Sequence, residues 1–262
     1  MTQKTEKQKE SRYAKAIKIQ KLSKVFHSES GSTVSALHDI NLTVNSGEFI
    51  TVLGATGCGK TTLLNLIAGL DIPDEGYLDL NDNLKFGMNI AYVFQHYTLF
   101  PWRTTLNNVA FALEMRGISK QERKLEAVKL LSKVGLEGFE NAYTHELSGG
   151  MRQRAAIAQA LAMKPKLLLM DEPFGAVDDS TRADLQRMII QLWHENQITI
   201  IFVTHNIDEA IILGDRVLVL SERPGKIVNE FDVNLPRPRN HLTPEFTEFF
   251  MKIRQTLSGQ LD

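Results

Sequence analysis

The sequence contains Gly54-Ala55-Thr56-Gly57-Cys58-Gly59-Lys60-Thr61-Thr62, which fits the spacing G-x-x-x-x-G-K-[ST] of a phosphate-binding loop. An apolar, β-branched run at residues 48–53 comes before it and predicts a buried strand. Helix-forming residues 63–68 follow and end at Gly69, a residue typical of a helix C-terminus. A glycine-rich turn between two core elements is the alternative. The full spacing and both flanks favour the phosphate-binding loop, because the motif binds phosphate in the context of strand, loop and helix.

The chemistry of this loop predicts a nucleoside triphosphate ligand. Glycines permit backbone angles that turn successive N–H groups toward phosphate oxygens, and the helix N-terminus adds the positive end of its dipole. We expect Lys60 to reach the β- and γ-phosphates and the Thr61 hydroxyl to hold Mg²⁺. Cys58 lies near a helix N-terminus, where a thiolate is favoured, so we expect bound nucleotide to shield it from alkylation. We expect Cys58 itself to be a small loop filler rather than a catalytic residue. The predicted contact residues are Gly54, Ala55, Thr56, Gly57, Cys58, Gly59, Lys60, Thr61 and Thr62.

The composition is that of an ordinary globular chain of 262 residues, with 43% hydrophobic and 23% charged residues. Its formal net charge of −1 gives no basic excess, and we therefore expect no nucleic-acid partner. The single cysteine excludes an intramolecular disulfide and favours a reducing compartment. No apolar run is long enough to span a bilayer, and the polar N-terminus does not resemble a secretion signal. If the protein works at a membrane, we expect other chains to supply the span.

The order of hydrophobic patterns predicts an α/β architecture. Residues 1–16 are polar and predict a disordered tail. Alternating apolar residues at 17–22 and 34–44 predict an antiparallel β layer, and residues 71–76 predict a turn. Residues 104–163 have helical spacing and predict a helical insert. Further elements are predicted at 89–94, 166–170, 180–196, 199–204, 207–213, 216–220 and 244–257. Several of these strands are continuously apolar, which favours a parallel sheet covered by helices.

Two carboxylates follow the apolar run at residues 166–170. Asp171, at the carboxyl end of a strand near the loop, can hold Mg²⁺, and Glu172 can orient or deprotonate an attacking water. A pair of capping carboxylates at a strand exit is the alternative. His205 ends the predicted strand at 199–204, and we expect it to contact the γ-phosphate, although a lone histidine is more often structural. The three residues predict hydrolytic chemistry at one sheet edge.

A second anion site is only half present. Ser148, Gly149 and Gly150 open a predicted helix whose N-terminus is built to receive an anion, with Ser148 as cap or direct donor. No lysine and no acidic strand end accompany it. Two copies placed head to tail would complete both sites, each ATP lying between one chain's loop and the other chain's Ser-Gly-Gly. We expect the dimer to close with ATP and to open after hydrolysis, since the γ-phosphate is the shared ligand.

These motifs, together with Gln95, occur in the order found in the ATPase subunits of ABC transporters, which the chain resembles over nearly its whole length after the tail. The resemblance implies an α/β fold: a RecA-like P-loop NTPase core with an antiparallel β subdomain, an inserted α-helical signature subdomain and a C-terminal helical extension. The implied boundaries are 17–94 with 165–235 for the core, 95–164 for the insert and 236–262 for the extension.

The resemblance also implies functional roles. Phe26 corresponds to the aromatic that stacks on adenine, although an aromatic ending a strand is commonly part of the core. Gln95 corresponds to the residue that contacts Mg²⁺ and the attacking water. Asp178 corresponds to the residue that couples the two sites across the dimer. Small departures from the family pattern, such as Val177 in place of leucine, remove no donor.

Three segments together resemble the nitrate, sulfonate, taurine and bicarbonate importer group: Phe100-Pro101-Trp102, residues 222–227 and residues 235–239. In that group the segment after Gln95 meets a transmembrane permease, which implies permease partners, an extracytoplasmic solute-binding protein indirectly, and a place at the cytoplasmic face of the membrane. Local packing of the insert is the alternative for the aromatic segment. The ATPase partner could be a second copy or a paralogue. A soluble ABC ATPase acting on a macromolecule and a phosphate-loop kinase are the competing functions, and the Ser-Gly-Gly motif and Glu172 disfavour the kinase.

Overall fold

A computed structural model describes residues 14–28, 31–85, 87–96, 98–175 and 177–259. The predicted tail at 1–16 lies outside these residues as far as residue 13. Its last two residues, Lys15 and Ala16, belong instead to the first strand, where Ala16 is buried. The prediction of disorder is therefore wrong for Lys15 and Ala16, because the apolar alternation of the strand reaches back to Ala16.

An antiparallel sheet of three strands forms the first layer, in the order β2-β1-β4. Its strands are β1 (Lys15–His27), β2 (Thr33–Asn45) and β4 (Glu75–Leu80). The turn predicted at 71–76 is wrong at its end, since β4 already begins at Glu75. This strand was missed because most of its side chains are exposed, so that no apolar alternation marks it.

The central sheet has six strands in the order β5-β6-β7-β3-β8-β9. They are β5 (Ile90–Val93), β6 (Leu167–Asp171), β7 (Thr199–Thr204), β3 (Phe49–Leu53), β8 (Arg216–Leu220) and β9 (Ile227–Asp232). Neighbours run parallel from β5 to β8, and β9 pairs antiparallel to β8 at the edge. All residues of β3, β6 and β7 are buried, as expected of a parallel sheet with helices on both faces.

Helices pack on both sides of this sheet. Helix α1 (Lys60–Ala68) follows β3 and lies between the two sheets, where Leu63, Leu64 and Ile67 are fully buried. Each such side chain contributes about 1.5–3 kcal/mol of burial free energy. Helices α5 (Asp179–Asn196), α6 (Ile207–Leu213) and α7 (Pro244–Ser258) cover other parts of the core.

Three helices lie between β5 and β6, as the sequence predicts: α2 (Thr105–Met115), α3 (Lys120–Lys133) and α4 (Gly149–Ala162), with a short 3-10 helix (Thr144–Glu146) before α4. They share an apolar cluster of their own that includes Val109, Leu131 and Ala155. Helix α4 also packs on the central sheet through Ile157 and Leu161. It therefore connects the insert mechanically to the core. In the described part of the chain, no helix has the length and apolar character needed to cross a bilayer.

Candidate functional site

The phosphate-binding loop lies where β3 ends and α1 begins, on the edge of the sheet that also carries the ends of β5, β6 and β7. Gly59 is the N-cap of α1, with φ of 110°. A Cβ atom there would lie 2.7 Å from the Ala36 carbonyl oxygen, so this position requires glycine both for its backbone angle and for its close contact with β2. The loop borders a cavity of about 490 Å³ at the carboxyl edge of the parallel strands.

The cavity brings together half of the predicted site residues. It is lined by Phe26, Val34, Ala36, Thr56, Gly57, Gly59, Lys60, Thr61, Thr62, Gln95, Glu172 and Arg223. Gly54 and Ala55 form the start of the loop, where their carbonyl groups face Lys60.

Lys60 is held at the centre of the loop. Its ammonium donates to the carbonyl oxygens of Gly54 and Ala55, both at 2.9 Å, and lies 3.2 Å from Glu172 Oε1. Only 4% of the side chain is exposed. A buried ammonium needs such partners, because desolvation of an unpaired charge is costly. A phosphate group entering the loop would offer Lys60 a second anion in place of Glu172.

Glu172 connects Lys60 to His205. Its Oε2 lies 3.0 Å from His205 Nδ1, and the His205 side chain is more than half exposed. Glu172 has φ of 42°, in the left-handed region, while its N–H donates to the Val203 carbonyl at 3.0 Å. A non-glycine residue held in that region indicates a backbone constrained by its surroundings, as is common at functional sites.

Asp171 fits a magnesium ligand. It is buried, burial is the main cause that raises its pKa, and the nearby Thr61 hydroxyl acts in the opposite direction. Its Oδ1 is buried without a hydrogen-bond partner, and its Oδ2 accepts a long 3.5 Å bond from Tyr92. An orphaned carboxylate oxygen beside a threonine hydroxyl is the kind of oxygen donor set that Mg²⁺ uses together with phosphate. Thr61 and Gln95, the other predicted magnesium ligands, line the cavity, whereas Asp171 is not among its lining residues.

Cys58 contradicts one expectation. Its side chain is 1% exposed and belongs to the apolar cluster between the two sheets, and burial raises the pKa of its thiol despite the nearby Lys60. The expected thiolate is therefore wrong, because desolvation of the anion outweighs the helix N-terminus and the lysine. Its part in the loop is structural: the Cys58 N–H donates to the Ala55 carbonyl at 3.3 Å and closes the turn.

Phe26 lies at the cavity rather than in the core. It is 43% exposed and shares the cavity wall with Val34 and Ala36, and the Lys24 ammonium lies 5.3 Å from its ring centroid. The alternative that Phe26 is a core aromatic is therefore wrong. An exposed ring beside the loop can stack on a planar base.

Arg223 is a cavity residue that sequence analysis missed. Its Nε and Nη2 donate to the Gly57 carbonyl at 3.1 and 2.8 Å, a contact between positions 166 residues apart. Neighbouring Gly225 exchanges backbone hydrogen bonds with Ala36 and His38 of β2. The segment 222–227 is visible in the sequence as a feature of the importer group, but nothing local indicates that it supports the loop.

Ser148, Gly149 and Gly150 do not line this cavity. Ser148 is the N-cap of α4, and its hydroxyl accepts from the Met151 N–H at 3.2 Å. A Cβ atom on Gly150 would collide with the Thr181 side chain at the start of α5. The Ser-Gly-Gly segment therefore packs against the loop that carries Asp178.

Asp178 caps α5 in this conformation. Its carboxylate accepts from the hydroxyl and N–H groups of Ser180 and Thr181, at 2.7 to 3.1 Å. These bonds, with that of the Thr181 hydroxyl the largest cause, hold the Asp178 pKa well below its usual range. The residue lies close in sequence to Thr181, which meets Gly150 of the Ser-Gly-Gly segment, and it does not line the cavity.

Comparison with known proteins agrees with this geometry. Residues 37–175 match the family model described as ABC transporter. An uncharacterised ABC transporter ATP-binding protein of Methanocaldococcus jannaschii is 48% identical over 98% of this chain and 96% of its own length. A nitrate import ATP-binding protein of Synechocystis sp. is 44% identical over 93% and 96% of the two chains, and an aliphatic sulfonates import ATP-binding protein of Bacillus cereus is 42% identical over 91% and 94%.

A solved structure supports the same assignment. An ATP-binding cassette captured as a dimer in a post-hydrolysis state with ADP and Pi superposes with a TM-score of 0.75 and 32% identity. The match covers 84% of this chain and all of that one. The fold, the phosphate loop and its carboxylates, the family model and the relatives agree. The chain belongs to the ATP-binding subunits of ABC transporters, and it is an ATPase that binds ATP.

Proposed function

We propose that the chain powers an ABC importer for a small anion by closing around ATP as a head-to-tail dimer. One observation carries the proposal: the Ser-Gly-Gly helix start is present in the chain but lies apart from the chain's own ATP cavity. A second copy or a paralogue would bring its Ser148 against this chain's phosphate loop. The neighbouring solved cassette is dimeric, which supports such an arrangement.

In the proposed site, loop residues 54–62 hold the phosphates and Phe26 stacks on the adenine. Thr61, Gln95 and Asp171 would hold Mg²⁺, which would neutralise phosphate charge when bound. Lys60, which lies 3.2 Å from Glu172 Oε1, would turn from this carboxylate toward the β- and γ-phosphates.

Glu172 would then be free to orient the attacking water and accept its proton. His205, which bonds to Glu172 in this structure, would hold the γ-phosphate and the water in line. The negative charge of the reacting phosphate would be stabilised by Lys60 and by the N–H groups at two helix N-termini, α1 of this chain and α4 of the partner.

The substitution Glu172→Gln tests the catalytic half of the proposal. The variant keeps every phosphate ligand but lacks the basic carboxylate, so we expect hydrolysis to fall by at least about 100-fold. With ATP and Mg²⁺ it should elute as a dimer in size-exclusion chromatography. Glu248→Gln, an exposed change on α7, is the matched control and should behave as wild type. Full turnover in Glu172→Gln would remove this residue from the proposed role.

The permease contact is proposed at the aromatic segment after Gln95. Trp102 is 70% exposed, its ring lies 5.3 Å from that of Phe100, and Arg103 lies over the Phe100 ring. Exposed Trp, Phe and Arg are the side chains that protein interfaces favour. The ATPase would thereby sit peripherally at the cytoplasmic face, with a solute-binding protein engaged only through the permease.

A tagged pull-down from detergent-solubilised membranes tests this contact. We expect a polytopic membrane protein to co-purify in near-equal amount with wild type, and to be lost with Trp102→Ala. Tyr77→Ala, a comparably exposed aromatic on β4, is the control and should retain it. Recovery without any membrane protein would refute the importer and favour an ATPase acting on a soluble macromolecule.

The anion itself is proposed from the relatives, whose names give nitrate and aliphatic sulfonates. Taurine and bicarbonate complete the group that the sequence resembles. Uptake of each labelled anion into vesicles containing the recovered complex identifies the solute. Transport of an uncharged or cationic solute with none of the four anions would contradict this choice.

A further inference from the structure

A partly buried ion pair joins two loops of the candidate site. Arg182 of α5 and Glu209 of α6 face each other with 3.2 Å between Arg182 Nε and Glu209 Oε1. The Glu209 side chain is 8% exposed and that of Arg182 26%. Removing one partner from such a pair leaves an uncompensated charge, so the two side chains are expected to move as a unit.

The arginine end of the pair holds the loop of Asp178. Arg182 Nη2 donates to the Val177 carbonyl at 3.2 Å, and Nη1 donates to Asp179 Oδ1 at 2.7 Å. Its guanidinium thus donates hydrogen bonds to the residues on both sides of Asp178. The adjacent Thr181 packs against Gly150 at the start of α4. Arg182 is therefore anchored to the segment proposed to receive the partner's ATP.

The glutamate end holds the loop of His205. Glu209 Oε2 accepts from the Thr204 hydroxyl at 2.6 Å, and that hydroxyl accepts from the Asn206 N–H at 3.0 Å. Asn206 in turn caps α6 by accepting from the Glu209 N–H at 3.1 Å. The residues on both sides of His205 are thus tied to Glu209, while the His205 ring bonds to Glu172.

We propose that Arg182 and Glu209 are positioning residues that couple the two ATP sites of the dimer. The surface formed by the Ser-Gly-Gly segment and the loop of Asp178 would be displaced when it closes on the partner's ATP. The ion pair would transmit this displacement to His205 and Glu172 in the chain's own site. Hydrolysis at one site would then depend on closure at the other. This inference rests on the proposed head-to-tail dimer.

The test compares Arg182→Met, Glu209→Gln and the double variant in the full-length chain. We expect each to lower the ATPase kcat by about tenfold and to bring the Hill coefficient for ATP from above one to about one. ATP binding to the isolated chain should stay within about twofold, since neither residue lines the cavity. The double variant should be no worse than either single one, as expected of residues that act through each other.

Two controls separate coupling from unfolding. Arg187→Met removes an arginine from the same helix whose partner, Asp184, lies on that helix, and it should leave the Hill coefficient unchanged. Arg182→Lys keeps the charge and should restore part of the cooperativity, whereas a purely structural role would not depend on that charge. Additive losses in the double variant, or cooperativity retained by Arg182→Met, would overturn the inference.

Each main variant is also placed in the Glu172→Gln background and examined for an ATP-dependent dimer. We expect the dimer to form, because the ATP ligands and Ser148 are intact. If Glu172→Gln alone stays monomeric with ATP, both the proposed dimer and the coupling are refuted. If the dimer forms but the pair contributes additively to turnover, only the coupling is refuted.

Discussion

Arg223 provides the sharpest test of how the phosphate loop is held. Its guanidinium donates twice to the Gly57 carbonyl, at 3.1 and 2.8 Å, and thereby fixes the peptide between Gly57 and Cys58. Lys60, Thr61 and Glu172 make none of their contacts through Arg223. The substitution Arg223→Ala should therefore loosen the loop that receives the phosphates without touching the groups that perform hydrolysis.

The magnitude follows from the two bonds and their exposure. A hydrogen bond from a charged donor contributes about 1.5–3 kcal/mol when buried. Arg223 is exposed, so water competes for the same carbonyl and about 1 kcal/mol remains for the two bonds together. Since 1.4 kcal/mol corresponds to a factor of ten, we expect the dissociation constant for ATP to rise by about fivefold. The kcat at saturating ATP should change by less than about twofold.

Isothermal titration calorimetry with ATP and steady-state hydrolysis measure the two effects separately. Arg223→Lys retains one donor and should lie between wild type and Arg223→Ala. The matched control is Arg116→Ala, which removes another exposed arginine that donates to a backbone carbonyl, that of Met163 at 2.9 Å, in the helical insert. Unchanged affinity in Arg223→Ala, or an equal loss in Arg116→Ala, would refute loop support by Arg223.

Three further predictions test burial and packing. Arg216→Met removes the ion-pair partner of Glu48, whose side chain is 12% exposed. The free energy of unfolding should fall by about 2–3 kcal/mol and the Tm by about 4–10 °C, while the affinity for ATP stays unchanged. A Tm within about 2 °C of wild type would contradict a structural role. Cys58 should react with a maleimide far more slowly than in the denatured chain, both with and without ATP, and fast labelling that ATP suppresses would show that it is accessible. Gly150→Ala should weaken the ATP-dependent dimer, because the added methyl group would collide with Thr181 Cγ2. Adding Thr181→Ser removes that methyl group of Thr181 and should restore the dimer. Dimerisation unaffected by Gly150→Ala would argue against this contact.

The parts of the fold and site that sequence alone predicts are those whose information is local. The phosphate loop, the buried strand before it and the helix after it are specified within about twenty residues, and the C-cap at Gly69 is confirmed. Strands β7 and β8 and helix α6 have the bounds that their apolar runs predict. Parallel strands then bring Asp171, Glu172 and His205 to one edge, so their proximity follows from topology.

The parts that sequence does not predict have two physical causes. Edge strands β4 and β9 are exposed on most positions, so tertiary pairing rather than an apolar pattern makes them strands. Contacts such as that between Arg223 and Gly57 join positions far apart in the chain, and an arginine in a loop carries no signal of which carbonyl it will reach. The buried state of Cys58 belongs to the same class, because it depends on the sheet that covers the loop.

The resemblance implies that Asp178 couples the two sites across the dimer, and the hydrogen bonds of its carboxylate limit how it can do so. Its carboxylate oxygens accept four hydrogen bonds from Ser180 and Thr181, so a contact with a partner chain through this carboxylate requires the loss of the N-cap of α5. Either the free energy of closure around ATP exceeds the stabilisation lost with the cap, or the cap stays intact and backbone groups of the loop contact the partner chain. The second course keeps Asp178 and Arg182 rigidly connected, since both lie in the first turn of α5 or at its cap. The two sites are then coupled by a displacement of the start of α5, and the Arg182–Glu209 pair transmits that displacement to the loop of His205.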